Sequence, residues 1–576
     1  MQTIHQKFFE TAQTFPGRSA LKYKHQNAYL SISFSELENK IKTLAKGFFN
    51  LGLKKGERLA ILSENRPEWV MADLAALSLG AVVVPVHTTL SPGIIKHILE
   101  NSGSRMILVS SQEQFNKLLL VAKEISGLEA IIYANLDQTD FGNLSQKIIS
   151  FNEVLNSGQE IKTEMADQVQ AGDLASIIYT SGTTALPKGV MLTHHNLMFD
   201  AEAAVTAVAV DEKDILLSFL PLSHVLERTA GYYAPLVCRG SCIAYAESPK
   251  TLVNNLREIK PTILVAVPRI FEKVHVSIWD KVKNGSKLKY QIFIWALKQE
   301  PKTFTHYIAD RLVFKKIRQS LGGRLRYTIS GGATLNHRLA RFFARLGLVI
   351  TEGYGLTETA PIISVNRLNN IKFGTVGQQL PGVEIKIALD KEILVRGPNV
   401  MAGYYNNSAM TQEVIDAEGW FHTGDLGFLS SEGFLIIIGR KKEMISLSNG
   451  KIAWPEQIEL LLNDDRFFAQ SMVLGDGRSY LTAVIVPDWQ EIKRNAAVLG
   501  LPTLEPASLV SEPKLIKTFY DRIEKINNQL AEWERIRKIV LLPDEFSQEK
   551  DELTPTLKLR RHIIENHYQS QIDKLY

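Results

Sequence analysis

Cysteine is nearly missing from this 576-residue chain: only Cys238 and Cys242 occur. So few thiols exclude a disulfide-built scaffold and fit a reducing compartment. Their C-x3-C spacing offers two ligands where a structural zinc needs four, so two small buried hydrophobes are expected. No run of 18 apolar residues is present, so no helical membrane span is expected. The opening "MQTIHQKFFE" lacks an apolar core of signal-peptide length. These absences together predict a cytoplasmic protein. "KDEL" at Lys550–Leu553 is internal, whereas retention signals of that kind are read at a C-terminus. Charge of one sign is not in excess: 66 basic against 61 acidic residues leave +5, too mild to imply nucleic-acid binding. That balance suits an anionic substrate or weak contact with an anionic membrane surface. Tandem repeats and low-complexity tracts are absent as well.

What is present is an ordinary globular composition, 45% apolar and 22% charged, in a chain too long for one hydrophobic core. The first 430 or so residues alternate short apolar runs with amphipathic stretches. "RLAILS" (58–63) reads as a strand, "PEWVMADLAALSLG" as a helix starting at Pro67 and stopped by Gly80, and "AVVVPV" as a buried strand. Upstream, Leu37, Ile41, Leu44 and Phe48 share one helical face, with Ser35 and Glu38 at capping-box spacing. Strand–helix–strand repetition predicts parallel sheets covered by helices. Residues 276–320 are lysine-rich and helical in pattern, with Phe293 and Trp295 at apolar positions. They read as a helical insertion on the main body, or as a surface that touches a membrane or guards a hydrophobic entrance. A domain boundary is expected near 440, before "RKKEMISLSNG".

The most informative stretch is "YTSGTTALPKGV", Tyr179–Val190. It is not a Walker loop: counting from Gly182, the sixth position is Pro187, and Lys188 is followed by Gly189. The dinucleotide fingerprint fails too, because "GYGLTE" places Glu358 where its last glycine belongs. The phosphate physics remains. Small residues let backbone N–H groups approach an anion, and Thr180, Ser181, Thr183 and Thr184 add hydroxyls. Lys188 supplies a mobile positive charge, and Pro187 restrains the turn before it.

Five further strings follow in order: "ISGGATL" (329–335), "EGYGLTETAP" (352–361), "GWFHTGDLG" (419–427), "GRKKEMI" (439–445) and "LTPTLKLRR" (553–561). With "YTSGTTALPKGV" they resemble the signatures of the adenylate-forming, AMP-binding superfamily and span nearly the whole chain. "LPLSHVLERTAGYY", "VPRIFEKV" and "LVFKKIRQSLGGRLRYTISGGATL" narrow the resemblance to long-chain fatty acyl-CoA synthetases. The resemblance implies an α/β fold. A large N-terminal domain over 1–439 has helix-covered β-sheets with a distorted barrel. A small α+β C-terminal domain over 440–576 turns on a hinge near Lys442.

It also implies a reaction. ATP and a long-chain fatty acid give acyl-AMP and pyrophosphate, and the acyl group then passes to the thiol of CoA. Carboxylate and triphosphate repel, so the site must neutralise charge and align the attack. By resemblance, the Thr180–Lys188 loop (Thr180, Ser181, Gly182, Thr183, Thr184, Lys188) wraps the β- and γ-phosphates. Glu358 with Thr180 or Thr184 holds Mg²⁺. Thr357 contacts the α-phosphate. Tyr354 and Gly355, with Gly331, Gly332 and Ala333, surround the adenine. Asp425 binds the ribose hydroxyls, and Arg440 reaches ribose or phosphate. Lys558 bridges carboxylate and α-phosphate. His224 lies near the acyl carboxylate, and Lys442 is the pivot that withdraws Lys558 before thioester formation.

Two departures stand out. Ala185 occupies a position where the family commonly has Gly, at roughly 1 kcal/mol if that residue needs a positive φ. Ser446 occupies a position where many members carry Lys. Three rival readings remain open at this point: acyl carrier protein as thiol acceptor, a nucleotide-binding protein without catalysis, and a peptide-synthetase adenylation unit.

Overall fold

The computed structural model describes residues 2–136, 144–159, 168–180, 186–248, 251–301, 303–502, 505–554 and 557–576. Internal contacts divide the chain into two compact units. The first comprises Met1–Ile385, Val395–His422 and Ser431–Leu435. The second comprises Lys386–Leu394, Thr423–Ser430 and Ile436–Tyr576.

The first unit is built on two large sheets. One has eight strands, and its middle is parallel: Val82–Val86 pairs with Arg58–Leu62, which pairs in turn with Met106–Val109. The other has nine strands, with Cys242–Tyr245, Ile215–Ser218, Ile263–Ala266, Tyr327–Ser330 and Val349–Gly355 running parallel in that order. Every residue of the Val82–Val86 strand is buried, as a strand covered on both faces requires. The expected Pro67 helix runs Pro67–Ser78 and is buried at Pro67 and continuously from Trp69 to Leu77. A helix apolar on all sides must be enclosed by protein. This one packs against Val82–Val86 of the eight-stranded sheet and Ser19–His25 of the nine-stranded one.

The helix carrying Leu37, Ile41, Leu44 and Phe48 has all four buried. Its cap differs from the expectation. The helix starts at Phe34, so Ser33 and Glu36 form the capping box, not Ser35 and Glu38. The S-x-x-E spacing occurs twice, two residues apart, and burial of Phe34 selects the earlier copy. Glu38 instead pairs with Lys42 at 2.7 Å.

A buried ion pair ties the interior of this unit together. Asp73 of the enclosed helix meets Arg228 of the Glu227–Val237 π-helix, both 0% exposed. Arg228 also donates to Ser176 Oγ (2.6 Å) and to the Tyr233 hydroxyl (2.8 Å), which donates to Asp73 (2.9 Å). Ser176 belongs to the eight-stranded sheet, while the π-helix packs on strands of the nine-stranded one. Cys238 and Cys242 are free and buried, and burial pushes their thiols up to about 12 and about 11.

Residues 268–320 form successive helices, Pro268–Lys283, Lys287–Leu297, Phe304–Ala309, Asp310–Phe314 and Lys315–Ser320. Phe293, Ala296, Ala309 and Phe314 join the core of the unit, while Trp295 faces outward.

The second unit centres on a three-stranded sheet of Phe468–Leu474, Leu481–Pro487 and Ile536–Leu541. Alternate residues go to opposite faces. Val473, Ala483 and Ile485 pack with Leu515, Phe519 and Ile523, while Met472, Val484 and Val486 pack with Phe546, Ile564 and Ile572. Among the described residues, no helix is long and apolar enough to cross a membrane.

Candidate active site

The phosphate stretch is a hairpin. Leu174–Thr180 and Lys188–Thr193 are antiparallel neighbours, and Thr180 lies directly opposite Lys188. Ser181, Gly182, Thr183, Thr184 and Ala185 lie outside the described residues. A Walker loop joins a strand to a helix. Here strand returns to strand, so the difference is topological as well as sequential. The stem is braced from the side by the Pro92–Ser102 helix. His97 Nε2 lies 3.1 Å from the Pro187 carbonyl, and the Tyr179 hydroxyl donates to Asn101 at 2.6 Å.

Lys188 and Glu358 come together at a residue with no expected role, Tyr404. The Tyr404 hydroxyl donates to Glu358 Oε1 at 2.8 Å and accepts from Lys188 Nζ at 3.3 Å. Lys188 Nζ also sits 4.3 Å from the centre of the Tyr404 ring. The backbone makes this meeting obligatory. Gly403–Tyr404 pairs with the Lys188 strand, Tyr405 N–H donates to the Gly189 carbonyl (2.8 Å), and Met401 N–H donates to the Glu358 carbonyl (2.9 Å). Tyr404 is buried, and desolvation, then the Glu358 charge, push its phenol well above the ordinary range.

Glu358 and Thr357 occupy a 3₁₀ turn, Thr357–Thr359, after the Val349–Gly355 strand that carries Tyr354 and Gly355. Gly355 has a steric reason: a Cβ there would lie 1.7 Å from the Pro361 carbonyl oxygen. Gly331 follows the Tyr327–Ser330 strand, and its N–H donates to the Ala266 carbonyl at 3.3 Å. Gly332 sits at φ +82°, a left-handed conformation that favours glycine, and Ala333 is exposed. Glu352, one strand position before the glycines, is 6% exposed, and burial pushes its carboxyl up to about 8.

His224 lies in a loop clamped by Asn65, whose side chain donates to the Leu220 carbonyl (2.6 Å) and accepts from Leu222 N–H (2.9 Å). His224 Nδ1 accepts from Leu226 N–H at 3.3 Å, which leaves Nε2 to carry the proton of the neutral ring. His87 is a second imidazole in the same neighbourhood. Burial, then repulsion from His224, lower it to about 3, so it stays neutral. Asn65 and His87 carry no motif, and sequence reasoning passed over both.

The second unit gathers Asp425, Arg440 and Lys558. Arg440 Nε lies 2.9 Å from Asp425 Oδ1. Gly424 N–H donates to Glu392 (3.0 Å), and Asp425 N–H to Thr423 Oγ1 (3.1 Å), within the Phe421–Leu429 strand. Lys558 rides on a tight hairpin. Thr554 N–H donates to the Lys558 carbonyl (2.8 Å), Lys558 N–H donates back to Thr554 Oγ1 (3.0 Å), and Leu553 bridges Leu559. The residue as a whole is exposed. Desolvation of its ammonium, then Arg440, lower its pKa from the ordinary value, while Asp425 acts in the opposite sense. Arg561, next in the motif, is bound by Glu459 (2.6 Å) and Glu443 (3.2 Å). Lys442 is exposed within the single turn Lys441–Glu443, and Ser446 is exposed on a short strand.

Two groups of charged side chains thus arise, one in each unit, on a scaffold of two large sheets followed by a small α+β unit. The family model described as "AMP-binding enzyme" matches residues 8–405, and that of the "AMP-binding enzyme C-terminal domain" matches 442–576. The chain belongs to the AMP-binding enzyme family. The long-chain-fatty-acid–CoA ligase FadD15 of Mycobacterium bovis is 32% identical over 95% of this chain and 92% of its own length. Fatty acyl-CoA synthetase A of Dictyostelium discoideum is 32% identical over 95% of this chain and 86% of its own. Among solved structures, the adenylation domain of a carboxylate reductase from Mycobacterium chelonae superposes with a TM-score of 0.82 at 20% identity, covering 100% of this chain and 91% of that one. The fold is therefore that of adenylate-forming enzymes.

Proposed function

We propose that this chain is an ATP-dependent long-chain fatty acid–CoA ligase. It joins the fatty acid to ATP as acyl-AMP with release of pyrophosphate, then passes the acyl group to CoA with release of AMP. The observation that carries the chemistry is the meeting of Lys188 and Glu358, a phosphate cation and a hard oxygen ligand, at one hydroxyl. The names of the full-length relatives favour a fatty acid and CoA over an acyl carrier protein.

Roles follow for this chain's own residues. Lys188, with Thr180, Ser181, Gly182, Thr183 and Thr184, holds the leaving phosphates. Glu358, with Thr180 or Thr184, fits magnesium, since a carboxylate and hydroxyls are the donors a hard cation takes. Magnesium bound with ATP would offset phosphate charge. Thr357 contacts the α-phosphate, and Tyr354 with the 331–333 and 353–355 backbone forms the adenine wall. Asp425 exchanges its Arg440 partner for the ribose hydroxyls. Lys558 brings its charge between carboxylate and α-phosphate, and His224 orients the carboxylate. We propose residues 440–576 as the moving part and Lys442 as the pivot. Lys441 is held by Asp390 (2.6 Å) and Glu443 by Arg561 (3.2 Å), so a change of direction falls on the exposed residue between them.

The deciding assay measures AMP release with C2 to C20 acids, comparing CoA with holo carrier protein. Turnover with long acids and CoA is expected. Activity on acetate alone, or on no fatty acid, overturns the reading.

The same reading includes contact with the cytoplasmic face of a membrane through residues 276–320, where a fatty acid would be met. Leu288, Ile292 and Trp295 line one side of the Lys287–Leu297 helix and are exposed, as are Phe304 (78%), Tyr307 (64%) and Leu312. The stretch holds ten basic and three acidic residues, more positive charge than the whole chain nets. Apolar side chains among lysines fit an anionic lipid surface. Sedimentation with phosphatidylglycerol vesicles, lost at high salt and in Ile292→Glu, is expected; equal recovery with neutral vesicles or none overturns it.

A further inference from the structure

Tyr404 lies outside every motif that carries the proposed chemistry, yet it touches two of the proposed groups. Lys188 and Glu358 bear opposite charges and project from adjacent segments: the Lys188–Thr193 strand packs against the Thr357–Thr359 turn. Two such charges in a half-buried setting would ordinarily close into an ion pair. Such a pair would occupy the cation meant for phosphate and the carboxylate meant for metal. Instead, one hydroxyl stands between them, donating to Glu358 at 2.8 Å and accepting from Lys188 at 3.3 Å. The ring beneath gives the ammonium a second, weaker resting place, 4.3 Å from its centre.

We infer that Tyr404 is a positioning residue that keeps Lys188 and Glu358 apart and so available to magnesium pyrophosphate and to the β- and γ-phosphates of ATP. This rests on the proposed adenylation reading. Two features make the hydroxyl, more than the ring, the working part. Tyr404 is 3% exposed, so its hydroxyl is not solvated at the surface. Its strand is stitched on one side to the Lys188 strand and braced on the other by Met401 N–H on the Glu358 carbonyl, so the hydroxyl cannot drift. A phenylalanine would keep the packing and the ring contact and lose only the bridge.

The test compares Tyr404→Phe with the parent in full-length protein. Calorimetric titration with pyrophosphate in magnesium should show affinity weakened about tenfold, the scale of one lost charge-assisted hydrogen bond. The KM for MgATP in acyl-AMP formation should rise by a similar factor. Thioester formation from supplied acyl-AMP, which uses neither pyrophosphate nor its metal, should keep its rate, and the melting temperature should stay within about 2 °C. Tyr404→Phe and Lys188→Met should be non-additive in the pyrophosphate titration, since both act on one contact. Parent-like pyrophosphate affinity, or additive effects in the double variant, overturns the inference. So does equal loss of both half-reactions with a lowered melting temperature, which would make Tyr404 merely structural. A parent that binds magnesium pyrophosphate but adenylates no fatty acid would sink the substrate reading and leave the Tyr404 result standing.

Discussion

Replacing Arg228 by methionine tests the interior of the first unit most directly. The side chain that remains is similar in length and apolar, so little volume changes. What changes is charge. Asp73 and Arg228 are both 0% exposed, and Asp73 would keep the Tyr233 hydroxyl at 2.9 Å but lose its guanidinium. Even with its partner present, burial already raises the Asp73 pKa. Breaking a buried pair on one side costs about 3–5 kcal/mol, because a carboxylate is left without compensation. Ser176 Oγ loses a 2.6 Å donor and Trp69 loses the guanidinium 5.3 Å from its ring centre, each a smaller addition. Replacing both partners by apolar residues, Asp73→Leu with Arg228→Met, removes the orphaned charge and should recover most of the loss. The assay is urea denaturation followed through tryptophan fluorescence, to which Trp69 of this network contributes with six other tryptophans. A loss below about 1 kcal/mol in Arg228→Met refutes the reasoning, as does a double variant no better than the single one.

Other outcomes follow from the same geometry. Lys558→Ala should abolish acyl-AMP formation while sparing thioester formation from supplied acyl-AMP; equal loss of both steps would remove Lys558 from the role proposed for it. Lys442→Pro should retain acyl-AMP formation and slow overall turnover at least tenfold, and unchanged turnover would reject the pivot. Burial pushes the Glu227 carboxyl up to about 8, above its unfolded value near 4.5, so its contribution to stability is full below the lower figure and is lost as pH rises through the upper one. Glu227→Gln should therefore lose less melting temperature than the parent between pH 6 and pH 9; parallel profiles would contradict that. Gly355→Ala should be poorly folded or inactive, since its Cβ would meet the Pro361 carbonyl at 1.7 Å, and a soluble, active variant would show that this turn can open.

Legibility differed by level. Local elements followed from period and punctuation: Pro67 opened a helix, and Val82–Val86 formed a fully buried strand. The helix cap did not, because two S-x-x-E spacings compete and burial of Phe34 breaks the tie. Motif residues could be proposed from the sequence because phosphate, ribose and carboxylate each need a defined donor or charge. Residues that hold those groups in place were not readable. Asn65 clamps the His224 loop through backbone atoms 155 and 157 positions away, and any sequence offers many asparagines.

By itself the amino-acid order determined the class of chemistry. Six short strings, each with a chemical reason, pointed to one family and its adenylation chemistry, while the choice of thiol acceptor stayed open. Tertiary structure decided how the charges are arranged. It made the phosphate stretch a hairpin with Thr180 facing Lys188, brought Glu358 to the same place, and set a tyrosine from 216 positions beyond Lys188 between them. Hydroxyl, ammonium and carboxylate each appear many times along the chain. Only the pairing of the Gly403–Tyr404 strand with the Lys188 strand puts one of each within hydrogen-bonding reach, because distance in space is fixed by strand register and not by separation along the chain.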